Sequence, residues 1–408
     1  MIYTITPNPC LDLGGTVNKL VPDEKSYVHD EIRAPGGNSI NAARIIKRLG
    51  VPVTAMGFLG GGVGLEIQTH LDHEKVSHEF IQIKGRTRIN VTVSNAQDHR
   101  QTRLSFPGPR ILPSEREALF NYISKIAARS SRESSGYSSG PPSGLPSGPP
   151  SDLTLDHLPL LLVGGSLPPG FTETHLVKIL RLAEAHEIPT IVDVPGHLLK
   201  CAFASSSTLL IKPNLTEFQA LTGTKASSLK AVLKLAKKFT HQIPLICVSS
   251  VEGGALLVTP HASWFGRIPR IKVKSTVGAG DSMVGAMSAY LWKEGRKEAR
   301  KEARKKGRKE NRKEGRTENH ESNHESIHKS IHKSIHNSNH KNNHQNTPQR
   351  TRSPLDALAH SPAPELPEEL LRHGLAAACG TLSLAGMLMT TEKEIKQYLR
   401  QIELQRLE

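Results

Sequence analysis

The chain has 408 residues, 37% hydrophobic, 4% aromatic and 22% charged, with a formal net charge of +15. Several stretches are apolar enough to bury a core, which excludes disorder throughout, and none approaches the roughly 20 uninterrupted apolar residues of a membrane span. The charge is local: Lys293 to Arg352 carries 18 basic and 8 acidic residues, +10 of the total, so it says little about the partner of the folded part.

In chain order, Met1-Ile2-Tyr3-Thr4-Ile5 predicts a strand and lacks the basic start and long apolar run of a signal peptide. VPDEKSYVHDEIRAPGG and RTRINVTVSNAQDHRQTRLSF alternate polar and apolar residues, as antiparallel strands do. They predict a small β lid, with strands at about 12–35 and 86–106, over the carboxyl ends of a larger sheet, where such sheets bind ligands. SINAARIIKRLG has helical spacing and VPVTAMGFLG returns as a strand. Residues 129–151 are rich in Ser, Gly and Pro with almost nothing to bury, and read as a flexible surface insertion. The short apolar runs LPLLLVGGS, IPTIVDVPG, STLLIKPN and IPLICVSS predict strands, with HLVKILRLAEAH and SLKAVLKLAKKF as helices between them. Strand–helix alternation implies an α/β fold, a mostly parallel sheet covered by helices on both faces. Cys10, Cys201, Cys247 and Cys379 are scattered, fit neither a disulfide framework nor a zinc site, and read as free thiols of a reducing, cytoplasmic setting.

A second insertion, residues 295–352, repeats every four residues. GRKE, ARKE and related units give way to NHES and IHKS, and histidine recurs from His320 to His344. The first half favours a helix continuing out of LWKEGRKEAR, whereas the Asn/Ser/His half has weak helix propensity. Two functions of another class attach to it. Its Lys/Arg blocks suit weak polyanion binding, yet no aromatic residues are interleaved for base stacking, so no dedicated nucleic-acid partner is expected. Imidazoles four residues apart can capture metal, if a helix aligns them. A solvated, functionally neutral expansion is the simpler reading.

The segment Lys274-Ser275-Thr276-Val277-Gly278-Ala279-Gly280-Asp281 precedes the apolar helix MVGAMSAYLW. A Gly-Ala-Gly turn entering a helix leaves backbone N–H groups bare, and the positive end of the helix dipole adds to their pull on an anion. Asp281 beside them suits a general base, or alternatively a capping residue of a plain strand-to-helix turn.

With this segment the chain resembles the ribokinase (PfkB) family of sugar kinases, in particular its phosphosugar branch of 1-phosphofructokinase, tagatose-6-phosphate kinase and minor 6-phosphofructokinase. The resemblance spans nearly everything outside the two insertions. Its motifs come in family order: Asn8-Pro9-Cys10-Leu11-Asp12, Pro35-Gly36-Gly37 through Asn41 to Arg44, Gly57 to Gly61, Pro107-Gly108-Pro109, Gly165 to Gly170, Lys212 to Glu217, and Ser275 to Asp281. It implies one ribokinase-like α/β/α domain, residues 1–408 apart from the insertions, with the lid.

It also implies ATP, with Mg2+, phosphorylating a hydroxyl of a ketohexose phosphate; a free sugar or nucleoside is the alternative acceptor. By resemblance, Asp281 is the general base and Gly278, Ala279 and Gly280 are the anion hole. Asp12, Lys25, Gly36, Gly37, Asn41, Arg88 and Ser166 meet the sugar. Lys212, Asn214, Ser249, Gly254, Thr276, Gly278 and Gly280 meet ATP, Glu217 meets the metal through water, and Asp193 stands where the family has an acidic residue near it. Local alternatives remain: Asp12 as a turn residue, Glu217 as an exposed helix residue, Arg88 paired with a lid carboxylate. Exposed lid edges suit a homodimer.

Departures from the family pattern concentrate on the acceptor side. Asn38 and Ser39 replace a Lys-Gly pair, so a lysine that could meet the sugar phosphate is missing. Tyr27 stands at a common arginine position, with Lys25 as its nearest compensation. Gly164 replaces a serine, and Val251 replaces the glycine of S-x-G, putting a β-branched residue where positive φ is expected.

Overall fold

The computed structural model describes residues 1–98, 100–135, 159–324 and 365–408. The chain opens with β1 (Ile2–Thr6), runs into β2 (Cys10–Val17) and β3 (His29–Gly36), and returns through α1 (Asn38–Arg48). Then follow β4 (Val53–Leu59), α2 (Gly61–His73), β5 (Ser77–Gln82), β6 (Arg88–Asn95), β7 (Gln101–Leu104) and α3 (Pro113–Ser135). The second half alternates β8 (Leu160–Gly164), α4 (Glu173–Ala185), β9 (Thr190–Asp193), a 3₁₀ segment (Gly196–Ala204), β10 (Thr208–Ile211), α5 (Leu215–Thr222), α6 (Leu229–Lys237) and β11 (Leu245–Val251). It ends with β12 (Gly254–Val258), β13 (Ser263–Arg267), α7 (Ala279–His324), α8 (Glu365–Leu382), α9 (Glu392–Leu399) and β14 (Leu404–Leu407).

Ten strands form one sheet in the order β14-β13-β12-β11-β10-β9-β8-β1-β4-β5. From β11 to β5 all neighbours are parallel. Parallel strands covered on both faces must be apolar on both, and β4, β8, β9 and β10 are buried at every residue. Two cores result, one on each face: α1, α7 and α8 cover one, while α3, α4, α5 and α6 cover the other. Every strand predicted from an apolar run is present. The antiparallel edge β12-β13-β14 is an addition that the strand–helix alternation did not announce.

The lid is a four-stranded sheet, β3-β2-β6-β7. Here the expected antiparallel pattern needs a correction: β2 and β6 pair in parallel, Cys10 opposite Arg88 through Val17 opposite Asn95. Each is the first strand to leave the body on its own excursion, so both run the same way, and only β3 and β7 turn back.

Both insertions begin as helix. α3 continues to Ser135, which removes residues 129–135 from the expected flexible segment, and the rest of it lies outside the described residues up to the end of the insertion. The basic repeat extends α7 through its first half, as predicted, and on from Asn319 to His324 in the half expected to be weakly helical; the histidines from His328 to His344 lie outside the described residues. Glu294–Lys297 and Glu298–Lys301 ion pairs, at 2.6 and 3.2 Å, support the helix where it leaves the body.

Among the described residues no helix is long and apolar enough to cross a membrane. All four cysteines are buried and unpaired.

Candidate active site

The first turn of α7 is set by a glycine. Gly278 has φ +73°, the left-handed region open mainly to glycine, and its carbonyl accepts the first helical bond from the Ser282 N–H at 2.8 Å. The N–H groups of Ala279, Gly280 and Asp281 precede that bond and have no intrahelical acceptor. The loop before them is pinned to the end of α8, where the Lys274 N–H donates to the Leu382 carbonyl at 2.8 Å. At Gly280 a Cβ would meet only the Lys212 Nζ, at 3.3 Å. The result is a bare peptide lip with a cation beside it, the arrangement the sequence predicts for an anion hole.

Asp281 sits half-buried next to this lip, and Asn41, in the first turn of α1, donates from Nδ2 to its Oδ2 at 2.8 Å. Burial pushes the Asp281 carboxyl up to about 7, and the charge of Asp193 adds to the push; the Asn41 bond and the Lys212 charge oppose it. A carboxyl in that range exchanges a proton readily near neutral pH. Lys212 follows β10 and Asp193 ends β9, and their side chains pair at 3.2 Å, each about 5% exposed. Burial works against the Lys212 ammonium, yet Asp193, Asp281 and Glu217 hold it above the usual lysine range.

Lid and body meet around Asp12. Its Oδ1 accepts from Cys10 Sγ at 3.2 Å and from Asn90 Nδ2 at 3.3 Å. Burial raises its pKa, while those two bonds and the charges of Arg88 and Arg103 act against the rise. Gly36 packs against the Asp12 carboxylate so closely that a Cβ would collide with it. Gly37, at φ +117°, starts α1 against Thr6.

Arg88 is turned onto the backbone instead of a lid carboxylate. It donates to the carbonyls of Phe106 at 2.6 Å and Asn8 at 2.8 Å, and to Ser166 Oγ at 3.4 Å. Asn8 Nδ2 reaches the same Ser166 hydroxyl at 3.1 Å. Beside Ser166 opens a cavity of about 380 Å³, reaching to Glu173 and His197. A larger one, of about 760 Å³, lies between Lys237, His261 and Arg406 and shares no residue with the site.

Lys25 is not brought to this group: it is exposed in the loop between β2 and β3, its ammonium 5.0 Å from the Tyr27 ring centre. Asn90 and Arg103 were absent from the sequence-predicted set. Asn90 follows Arg88 at the strand period of two, a signal that was available. Arg103, on β7, donates to Thr276 Oγ1 at 3.2 Å and so joins the lid to the anion loop.

After Lys212, Asn214 and Glu217 form a reciprocal capping box on α5, each side chain accepting the other's backbone N–H at 2.9 Å. Glu217 is half-buried rather than an exposed helix residue, and burial raises its carboxyl above the usual range. Ser249 donates its N–H to the Pro213 carbonyl at 2.9 Å, holding β11 against this loop. Gly254 lies against the Gly266 backbone, where no Cβ fits. The positive φ expected at Val251 falls instead on Ser250 (61°) and Glu252 (44°), because a bulge leaves Val251 in β11, buried.

For a magnesium ion, the buried Asp193 Oδ2 has no hydrogen-bond partner and Glu217 offers a second carboxylate. Among the described residues there is no group of three or more metal-ligating side chains. Two carboxylates fit a cation that keeps much of its water and takes phosphate oxygens.

A glycine turn at a helix N-terminus, a carboxylate beside it, and a small β lid beside a mostly parallel sheet go with a ribokinase-like α/β fold. The chain belongs to the pfkB family of carbohydrate kinases, whose sequence model matches residues 8–140 and 151–303. Among solved structures it is similar to phosphofructokinase-2 from Escherichia coli in complex with substrates and products (24% identity, 98% of each chain, TM-score 0.69). The same enzyme in complex with potassium matches at 25% identity over 98% of each chain, TM-score 0.69. A protein described as a possible 1-phosphofructokinase from Thermotoga maritima matches at 19% identity over 100% of each chain, TM-score 0.68.

Proposed function

We propose that this carbohydrate kinase transfers the terminal phosphoryl group of ATP to a hydroxyl of a ketohexose phosphate: fructose 1-phosphate, giving fructose 1,6-bisphosphate, or fructose 6-phosphate or tagatose 6-phosphate. The observation that carries the reading is Asp281, raised to about 7, beside the bare N–H groups of Ala279 and Gly280. Asp281 takes the proton of the attacking hydroxyl, and the lip with Lys212 balances charge on the phosphoryl group as it moves. Asp193 and Glu217 would hold magnesium, directly or through water, and the ion would supply charge neutralisation at the nucleotide phosphates. Asn214, Ser249, Gly254 and Thr276 shape the nucleotide side; Asp12, Gly36, Gly37, Asn41 and Ser166 shape the sugar side.

The positive charges of Arg88 and Arg103 near Asp12 favour an acceptor that already carries a phosphate. Lys25 reaches that phosphate by leaving Tyr27, an exposed contact that costs little to break. Initial rates with ATP, magnesium and a panel of free and phosphorylated ketoses test the assignment. Turnover confined to ribose, free fructose or a nucleoside overturns the phosphosugar acceptor and leaves the kinase assignment standing.

A homodimer through the lid belongs to the same reading. β3 and β7 are open edges, and Tyr27, Val28, Leu104 and Phe106 are more than half exposed on lid segments. Sedimentation at micromolar concentration checks it; a monomer there refutes it.

A further inference from the structure

Behind Asn41 lies an ion network that the kinase chemistry above does not use. Arg44 is one turn further along α1 and 6% exposed. Its Nη1 donates to Asn41 Oδ1 at 3.4 Å and to the Pro35 carbonyl at 3.5 Å. Its Nε and Nη2 both grip Glu74 Oε1, at 2.8 and 2.6 Å. Glu74 caps α2 and is held on its other oxygen by Arg48 at 3.2 Å. Burial alone would raise the Glu74 carboxyl, but the two arginines keep it below the usual range.

We propose that Arg44 is a positioning residue for the catalytic carboxylate, fixing the Asn41 amide so that its NH₂ group, not its carbonyl, faces Asp281. The reasoning is one of donors and acceptors. An Asn amide is nearly symmetric in shape and can turn over, presenting either a donor or an acceptor to a given neighbour. Arginine has only donors, so the Asn41 carbonyl belongs on the Arg44 side and the amide N–H is left for Asp281. Glu74 makes the device firm, since it anchors the guanidinium from another helix. A flipped amide sets its carbonyl oxygen against a carboxylate oxygen, an arrangement that is relieved only when Asp281 holds a proton. Arg44 thereby keeps Asp281 ionised and able to accept the hydroxyl proton. The other groups around Asp281 are Asp193 and Asp12, which favour its protonated form, and Lys212, which favours its ionised form. None of these touches Arg44.

The inference rests on Asp281 as the base, and the experiment separates the two. The pH dependence of kcat and kcat/KM is measured for wild type, Arg44→Met, Arg44→Lys and the double variant Arg44→Met/Glu74→Gln, which removes both partners together and leaves no orphaned carboxylate. The expected result is an acidic limb moved up by about one pH unit in the Arg44→Met forms, with kcat about fivefold lower at pH 7 and recovered by pH 9. Arg44→Lys, which keeps a donor and a charge, falls between them and wild type, and KM for ATP is unchanged. An Asp281→Asn control runs alongside. If that control loses turnover while the Arg44 variants, folded by their melting curves, keep the wild-type limb or lose activity equally at all pH values, the positioning role is overturned and the base assignment survives. If Asp281→Asn retains turnover, the base assignment falls and the inference with it.

Discussion

The floor of the candidate site and its lid carry charge in opposite ways. On the floor, Asp281, Asn41, Lys212 and Asp193 are buried or half-buried and linked by short bonds from α1, α7 and the ends of β9 and β10. On the lid, Lys25 and Arg103 are exposed, and Arg88 is tied to carbonyl oxygens at its base. Desolvation makes the floor electrostatics strong and fixed, whereas the exposed lid charges are screened by water and Lys25 is held only against the Tyr27 ring. The departures Asn38, Ser39 and Tyr27 all concern groups around the acceptor, while the transfer loop from Ser275 to Asp281 is intact. On the proposed reading, the chemistry lies on a rigid part and the choice of acceptor on an adaptable one.

The sharpest test of that division is Asp281→Asn, which keeps shape and removes the proposed base. Turnover is expected to fall by about three orders of magnitude with acceptor KM little changed. In wild type, Asp281 must be ionised to act, so turnover rises from pH 6 to pH 8 with its midpoint near the carboxyl's value of about 7. A flat profile across that range breaks the link between burial and function.

Next in size is Lys212→Met. It leaves Asp193 buried without its partner, and urea unfolding is expected to show a loss of about 3–5 kcal/mol together with weakened activity. A stability change near zero would mean that the floor is wetter than its burial indicates. A lid change should behave differently. Lys25→Met is expected to raise KM for the phosphosugar about threefold at constant kcat, as loss of uniform binding does; a fall in kcat instead would move Lys25 into the transfer machinery.

Smallest of all is removal of residues 304–352, which lie beyond the part matched to the family. Kinetic constants are expected within about twofold of wild type, as for other excisions away from the core. A large loss would give the basic repeat a part in catalysis and revive the polyanion and metal readings.

Much of the floor was legible because its motifs are contiguous. The Gly278–Gly280 turn is a local backbone matter, settled within four or five residues, whereas the Asn214/Glu217 capping box is an addition of the structure to what the sequence offers only as a family motif. The strands announced themselves for a similar reason: parallel strands buried on both faces are short apolar runs. Lid pairing was less legible, since alternation marks a strand without saying which neighbour it takes or in which direction. Arg88 could be expected near a phosphate but not seen to bind the carbonyls of Asn8 and Phe106, which depend on how the two lid excursions return. The positive φ assigned to Val251 moved to its neighbours because a one-residue bulge shifts the register.

The sequence by itself determined the alternating α/β order, the glycine turn with an acid after it, and the family. Only the tertiary structure decided what that acid is like. Asn41 and Asp281 are 240 residues apart, and Asp193, Lys212 and Glu74 come from separate elements. A proton affinity is a sum over desolvation and nearby charge, and both exist only after distant segments have packed together.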